Sequence, residues 1–210
     1  MSTYVIFDLE MCSVPKGPIR DLFPSSMELI QIGAVAMNED YEIIDSYQTF
    51  VKPQFGRIDP FIRQLTGISN AQVQGAPSAD VALKSFYDWL PLDATLVSWS
   101  RTDIKQIKKE LKYKSIDIPG FDDFLNNSID CQLIFSKKMS TRSQYKLSEA
   151  LAISNVDYDE DMHDALVDAR NTAKLFAKTQ IEDELVLSPY YIRKEVLQSS
   201  RYDSFAHAYC

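Results

Sequence analysis

The sequence predicts an α/β fold in which one mixed five-stranded sheet is flanked by helices. Three observations carry this. Residues 3–10 open the chain with an apolar run that suits a strand buried on both faces. Two further strand-like runs follow it with no helical pattern between them. From residue 59 onward helical and strand patterns alternate, which places helices over the sheet.

Taken in order, Tyr4, Val5, Ile6 and Phe7 all favour strand and lead into Asp8 and Glu10. Residues 11–27 hold Pro15, Gly17, Pro18 and Pro24 and read as an irregular loop long enough to suggest function. Strand character resumes over residues 29–36, turns at Asn38-Glu39-Asp40 and returns over residues 43–51, an antiparallel meander that Pro53 ends. Residues 59–72 read as two short helical pieces broken near Gly67. Ser78 is placed to cap a helix bearing Val81, Leu83, Phe86, Tyr87 and Leu90. Residues 95–99 form a fourth strand. A helix over residues 102–113 then puts Ile104, Ile107 and Leu111 on one face, with Lys105, Lys108, Lys109 and Lys112 elsewhere. Residues 128–131 give a short last strand opening into a helix, and residues 146–153 and 164–178 give the final helices. Residues 181–210 carry Tyr190, Tyr191, Ile192, Val196, Leu197, Tyr202 and Phe205. They are expected to pack back as one or two short helices, with Tyr190 to Ile192 sealing the sheet.

The 210 residues, 45% hydrophobic and 25% charged, suit one globular domain with a sizeable core. No apolar stretch approaches the roughly 18 residues that span a bilayer, and the N-terminus lacks a basic, cleavable leader pattern. Cys12, Cys131 and Cys210 match neither zinc-site nor disulfide-framework spacing, so the expectation is a reduced, cytoplasmic protein without membrane contact. The net charge of −8 argues against non-specific nucleic-acid binding by the whole surface. It leaves room for a nucleic-acid enzyme, because cations reverse the field inside an acidic cleft.

Chemistry concentrates at three places. Asp8 and Glu10 alternate on one strand, so both point to the same side about 7 Å apart, where hard oxygens suit Mg²⁺ or Mn²⁺. Asp103 opens a helix after Ser98-Trp99-Ser100-Arg101-Thr102, a position where an acid often serves only as a cap. His163 precedes a helix start and Asp168 lies about one turn in, so the two can face one neighbourhood; alone, such a histidine is more often structural. Ala165, Ala169 and Ala173 would let this helix lie close against the sheet. Together, four carboxylates and a histidine are the inventory for two-metal phosphodiester hydrolysis, with a neutral imidazole taking a proton from water.

The order Asp-x-Glu, Asp, His-x-x-x-x-Asp resembles the DEDDh family of 3′–5′ exonucleases, which share the RNase H-like fold. Residues 28–35, 50–53 and 65–68 resemble the family's second strand, the end of its third and its helix-break motif. His163-Asp164-Ala165-Leu166-Val167-Asp168-Ala169-Arg170-Asn171-Thr172-Ala173 is close to its last motif. The resemblance spans residues 3–178 and is nearest the Eri-type and KapD-like branch. It implies an exonuclease domain over residues 1–180, with residues 181–210 an extension packed on it. It implies two divalent cations held by Asp8, Glu10, Asp103 and Asp168, with Asp8 bridging them and His163 as general base. It implies that Leu9, Met11, Phe61, Leu65 and Thr66 contact the terminal nucleotide of a single strand with a 3′-OH, RNA favoured and DNA possible. The product would be a nucleoside 5′-monophosphate. RNA-trimming relatives tend to carry an aromatic where this chain has Thr102; Trp99, nearby, is expected in the core.

Two basic groups flank the expected cleft: Lys105, Lys108, Lys109, Lys112 and Lys114, and then Lys137, Lys138, Arg142 and Lys146. Lysines on a helix commonly form a solvated face. The second group is the better phosphate holder, since Arg142 and Lys146 lead towards His163. Tyr145 suits either phosphate contact or the core, and Cys12 reads as a loop or core residue. Two other readings stand beside the exonuclease. One is a non-catalytic nucleic-acid or partner-binding regulator on the same fold, and the other is a hydrolase of dinucleotides or short oligonucleotides.

Overall fold

In the computed structural model, which describes residues 3–159, 163–189 and 191, the first strand is the axis of the sheet. β1 (Thr3–Ser13) pairs antiparallel with β2 (Met27–Met37), from Tyr4 opposite Met37 to Ser13 opposite Met27. β3 (Ile43–Phe50) continues antiparallel on the outer side of β2. On the other side of β1, β4 (Ala94–Ser98) and then the two-residue β5 (Ile129–Asp130) run parallel. The order β3-β2-β1-β4-β5 is the mixed five-stranded sheet expected.

The helices are α1 (Ile19–Leu22), α2 (Pro60–Thr66), α3 (Asn70–Gln74), α4 (Ala79–Trp89), α5 (Arg101–Tyr113), α6 (Phe121–Asn126), α7 (Cys131–Lys138), α8 (Leu147–Ile153) and α9 (Ala165–Ile181). They cover both faces, because β1 is apolar on both. Val5, Phe7 and Leu9 pack with Leu83, Phe86, Ile104, Ile107 and Phe121 under α4, α5 and α6. Ile6 packs with Val35, Val97, Phe135, Leu151 and Phe176 under α7, α8 and α9. Strand alternation puts Asp8 and Glu10 on the same face as Ile6, so the acids stand where that core gives way beside α9. A third cluster, with Cys12, Ile30, Ile62 and Val73, lies under α2 and α3. No helix among the described residues is long and apolar enough to cross a membrane.

The structure departs from the expectations in several places. The loop expected over residues 11–27 is shorter: Met11, Cys12 and Ser13 stay in β1 by pairing with β2 across a bulge at Glu10/Met11, and α1 forms within the remainder. This connection makes the first turn of the meander long, while the second, at Asn38 to Glu42, is tight. α6 was not expected; it follows Gly120, which adopts φ 87°. Val81 of α4 is exposed, and Ala79, Ala82, Leu83 and Phe86 face the core instead.

Lys114 is not part of a basic surface. Its Nζ is buried 2.5 Å from Glu28 Oε1 and 2.7 Å from Glu110 Oε2. Glu28 also accepts the backbone N–H groups of Gln54, Phe55 and Gly56, and Glu110 accepts that of Leu29 and the Gln106 amide. This network ties the loop after β3 and the middle of α5 to β2. Half-buried Lys138 donates to the carbonyls of Glu182 and Asp183, and Ser188 N–H donates to Ile153 O at 2.7 Å. Residues 182–188 thus lie against α7 and α8. The expectations for Tyr190, Ile192, Val196, Leu197, Tyr202 and Phe205 fall outside the described residues, as does Cys210; Cys12 and Cys131 are buried free thiols.

Candidate active site

Three elements deliver the acids. β1 carries Asp8 and Glu10, and its bulge after Glu10 falls at the acid pair. α5 begins at the N-cap Ser100, whose Oγ accepts from Thr102 N–H, and brings Asp103 into its first turn with only 6% of its surface exposed. The backbone N–H groups of Asp103 itself and of Leu9 on β1 lie near enough to favour the charged Asp103 carboxylate. α9 brings Asp168, whose N–H donates to Asp164 O. His163, just ahead of α9, has φ 72°, a left-handed backbone that is uncommon for non-glycine residues but that histidine, like asparagine and aspartate, adopts more often than most.

These side chains line one open cavity of about 820 Å³. Asp8, Glu10, Asp103, His163 and Asp168 all face it, so the structure brings together all five residues singled out as catalytic. Of the expected substrate contacts, Leu9, Met11, Leu65 and Lys146 line it; Phe61, Thr66 and Arg142 do not. Phe61 is on the exposed face of α2, and the Thr66 hydroxyl is committed to the end of that helix, donating to Ile62 O and accepting from Ile68 N–H. Trp99 is in the core against Phe135, as expected, yet its edge also lines the cavity, where its Nε1 donates to Tyr145 O. Tyr145 packs on that core, edge-on to Phe135, and also lines the cavity. Gln132, Gln144 and Ser148 line it without having been singled out; their only sequence signal is polarity near α7 and α8.

The electrostatics are those of crowded anions. Burial, and then Asp103, Asp168, Glu10 and Asp164, raise Asp8 well above the ordinary carboxylate range. Burial followed by Asp168, Asp103 and Asp164 pushes Glu10 up to about 8. Burial raises Asp103 to about 7 against those two N–H groups, with Asp168 adding to the rise. Asp168 is raised by burial, opposed by the N–H and imidazole of His163. Like charges packed this closely call for a cation.

The donor set fits a divalent metal. One ligand atom each from Glu10, His163 and Asp168 lie within 4.8 Å of one another. Asp168 Oδ1 is buried with no hydrogen-bond partner among the described residues, while its Oδ2 accepts from His163 N–H at 3.0 Å. An unpartnered buried carboxylate oxygen is costly unless something cationic meets it.

A mixed sheet of this order, with carboxylates from β1, α5 and α9 converging beside a histidine, defines an RNase H-like domain with an acidic centre whose residues could hold a metal ion. Residues 5–176 match the RNase_T exonuclease family, and the chain belongs to it as a DEDDh 3′–5′ exonuclease relative. Human 3′–5′ exoribonuclease 1 is 30% identical over 170 residues, covering 70% of this chain and 45% of that protein. A PolC-type DNA polymerase III from Caldanaerobacter subterraneus subsp. tengcongensis is 28% identical over 175 residues, 83% of this chain but 11% of that protein. The chain therefore spans less than half of the length of these relatives. The nuclease domain of 3′hExo, solved with rAMP bound, superposes with a TM-score of 0.73 at 25% identity over 89% of this chain and 96% of that one. Escherichia coli exonuclease I, solved with a dT13 oligonucleotide, shares the fold at 14% identity and a TM-score of 0.63, over 86% of this chain and 41% of that one.

Proposed function

We propose that this chain is a divalent-metal-dependent 3′–5′ exonuclease that removes nucleoside 5′-monophosphates from single-stranded nucleic acid with a 3′-OH, preferring RNA. The observation that carries the reading is the convergence of Asp8, Glu10, Asp103, His163 and Asp168 on one open cavity. The relatives named as exoribonucleases, and the similar nuclease domain solved with rAMP, support the preference for RNA.

Asp8, Glu10, Asp103 and Asp168 would hold two Mg²⁺ or Mn²⁺ ions, Asp8 contributing to both. When bound, such ions stabilise charge on phosphoryl oxygens and acidify water. His163, exposed at the cavity, takes the proton from the attacking water on a ring nitrogen and passes it to solvent. Lys146 meets a phosphate next to the scissile one, while Met11 and Leu65 hold the terminal base. Thr102 presents a hydroxyl where a ring would stack, so base contact rests on these apolar side chains. Residues 1–180 would form the exonuclease domain and residues 181–210 an extension packed on it; for residues 182–188, the contacts with α7 and α8 support that packing.

The test is incubation of the protein with 5′-labelled single-stranded RNA and DNA of one sequence, with Mg²⁺, Mn²⁺ or chelator, beside Asp8→Asn. A metal-dependent ladder shortening from the 3′ end, faster on RNA and absent in the variant, is expected. Release of nucleotides in chelator, or equal rates in Asp8→Asn, would overturn the mechanism. No ladder on long strands but cleavage of dinucleotides would transfer the activity to short oligomers.

A further inference from the structure

We propose that Gln31 is a positioning residue for this reaction. With Asp164 it clamps the first turn of α9 to the sheet and thereby sets where His163 and Asp168 stand relative to Glu10. The inference rests on the exonuclease reading of the site.

Gln31 is fully buried in β2, between Ile30 and Ile32. An amide in such surroundings is costly unless both its ends are bonded. Both are: Nε2 donates to Asp164 Oδ2 at 2.9 Å, and Oε1 accepts from Ala165 N–H at 3.1 Å. One side chain therefore grips both the cap of α9 and its first residue. Gln31 is also the register partner of Glu10 on β1, so clamp and acid occupy neighbouring points of the sheet.

The grip is extended from the next strand. Gln48 of β3, the register partner of Gly33, donates its Nε2 to both oxygens of Asp164 at 3.1 and 3.2 Å. Asp164 in turn accepts the N–H groups of Leu166 and Val167 at 3.0 and 3.2 Å. From this turn Asp168 holds His163 N–H, and one helical step further Asn171 bonds both the N–H and the carbonyl of Asp159. Asp159 and His163 are thus each bonded to α9, and α9 to Gln31.

Close packing alone does not supply this. The small residues along α9 and Gly33 fix how near the helix lies, but apolar contact permits slide and rotation. Hydrogen bonds are directional, and the two made by Gln31 fix the axial register. Misplacement of reacting groups by about 1 Å costs about 100-fold in rate.

The experiment compares wild type, Gln31→Leu, Gln31→Glu and the exchanged pair Gln31→Glu/Asp164→Asn. For each, kcat and KM are measured on single-stranded RNA with saturating Mn²⁺, Mn²⁺ affinity by calorimetry and melting temperature by circular dichroism. Leucine keeps the volume and removes both bonds; glutamate keeps the acceptor for Ala165 and sets two carboxylates against each other. The exchanged pair restores a donor to an acceptor. Both single variants are expected to lose about 100-fold in kcat with KM within about twofold. Their Mn²⁺ affinity should fall about 10-fold, because a displaced first turn of α9 carries the ligand Asp168 away from Glu10 on β1. The exchanged pair should recover most of kcat. Wild-type kcat in Gln31→Leu, or an exchanged pair no better than Gln31→Glu, would overturn the clamp. An inactive wild type that binds Mn²⁺ about 10-fold tighter than Gln31→Leu would support the clamp and overturn the exonuclease reading instead.

Discussion

His163 donates its backbone N–H to Asp168 Oδ2 at 3.0 Å, while Asp168 Oδ1 is buried without a hydrogen-bond partner among the described residues. One carboxylate thus has an oxygen that orients the histidine's chain and an oxygen left for a cation. Asp168→Asn should lower kcat by about 1000-fold or more, because the remaining ligands cannot replace a charged one. The same variant should melt no lower than wild type in chelator, since it removes a buried charge. His163→Ala should lower kcat by about 100- to 10,000-fold with Mn²⁺ affinity nearly unchanged. A large loss of Mn²⁺ affinity in His163→Ala would make the imidazole a ligand, a role its distance from Glu10 and Asp168 allows.

The acids also set a pH dependence. Glu10 is raised to about 8, Asp103 to about 7, and Asp8 well above the carboxylate range, all from unfolded values of about 4. Groups raised on folding favour the native state in their protonated form. Without metal, their stabilising contribution is therefore full below about pH 4 and lost as pH rises through about 7 to 8. Metal ions bind the deprotonated carboxylates and release protons. The difference in melting temperature between Mg²⁺-loaded and chelated protein should accordingly widen from pH 5 to pH 8.5. A difference that stays flat across this range would mean that these acids do not bind the ion.

Much of this site is local in sequence, which is why it could be read. Alternation along a strand is a two-residue rule, so Asp8-Leu9-Glu10 declared one face without any knowledge of the sheet. Asp103 and Asp168 follow helix starts, which residue types also mark locally. What could not be read depends on distant partners. Lys114 looks like its four neighbours on α5 until Glu28, 86 residues away, takes it into the core. Cys12 and Ser13 sit beside a proline-rich stretch, yet pairing with Glu28 and Met27 keeps them in β1. Phe61 and Thr66 belong to a helix of under two turns, too short for its periodicity to say which side meets the cavity. Gln31 was visible as a polar residue inside an apolar run, and its meaning waited on Asp164 from the far end of the chain.

The Lys114 site makes a prediction separate from catalysis. Two carboxylates, Glu28 and Glu110, share one buried ammonium. Lys114→Met keeps an unbranched chain of similar length but leaves both anions unpaired, which should cost about 3–5 kcal/mol in urea unfolding. Adding Glu110→Gln should recover part of this, since Glu28 keeps the N–H groups of Gln54 and Phe55. A loss under about 1 kcal/mol in Lys114→Met would mean that the trio is hydrated like a surface pair.

The close seat of α9 on β2 can be tested at Gly33, the register partner of Asp8. A Cβ at Gly33 would lie 2.1 Å from Leu166 N and 2.2 Å from Ala165 C, both backbone atoms that cannot rotate away. Gly33→Ala must therefore push the first turn of α9 outward by about 1 Å, and Asp168 and His163 with it. Overpacking of this kind costs about 1–3 kcal/mol in stability, whereas a shift of that size at the reacting groups costs about 100-fold in kcat. The signature is thus a rate loss at a temperature where the variant is still folded. Gly75→Ala supplies the control: it ends α3 at φ −89° with nothing within 4 Å of an added Cβ, and should change neither quantity. If Gly33→Ala kept both its rate and its melting temperature, α9 would not be seated on β2 as closely as its contacts with Gly33 require. The acids on β1 and α9 would then owe their spacing to some other part of the chain.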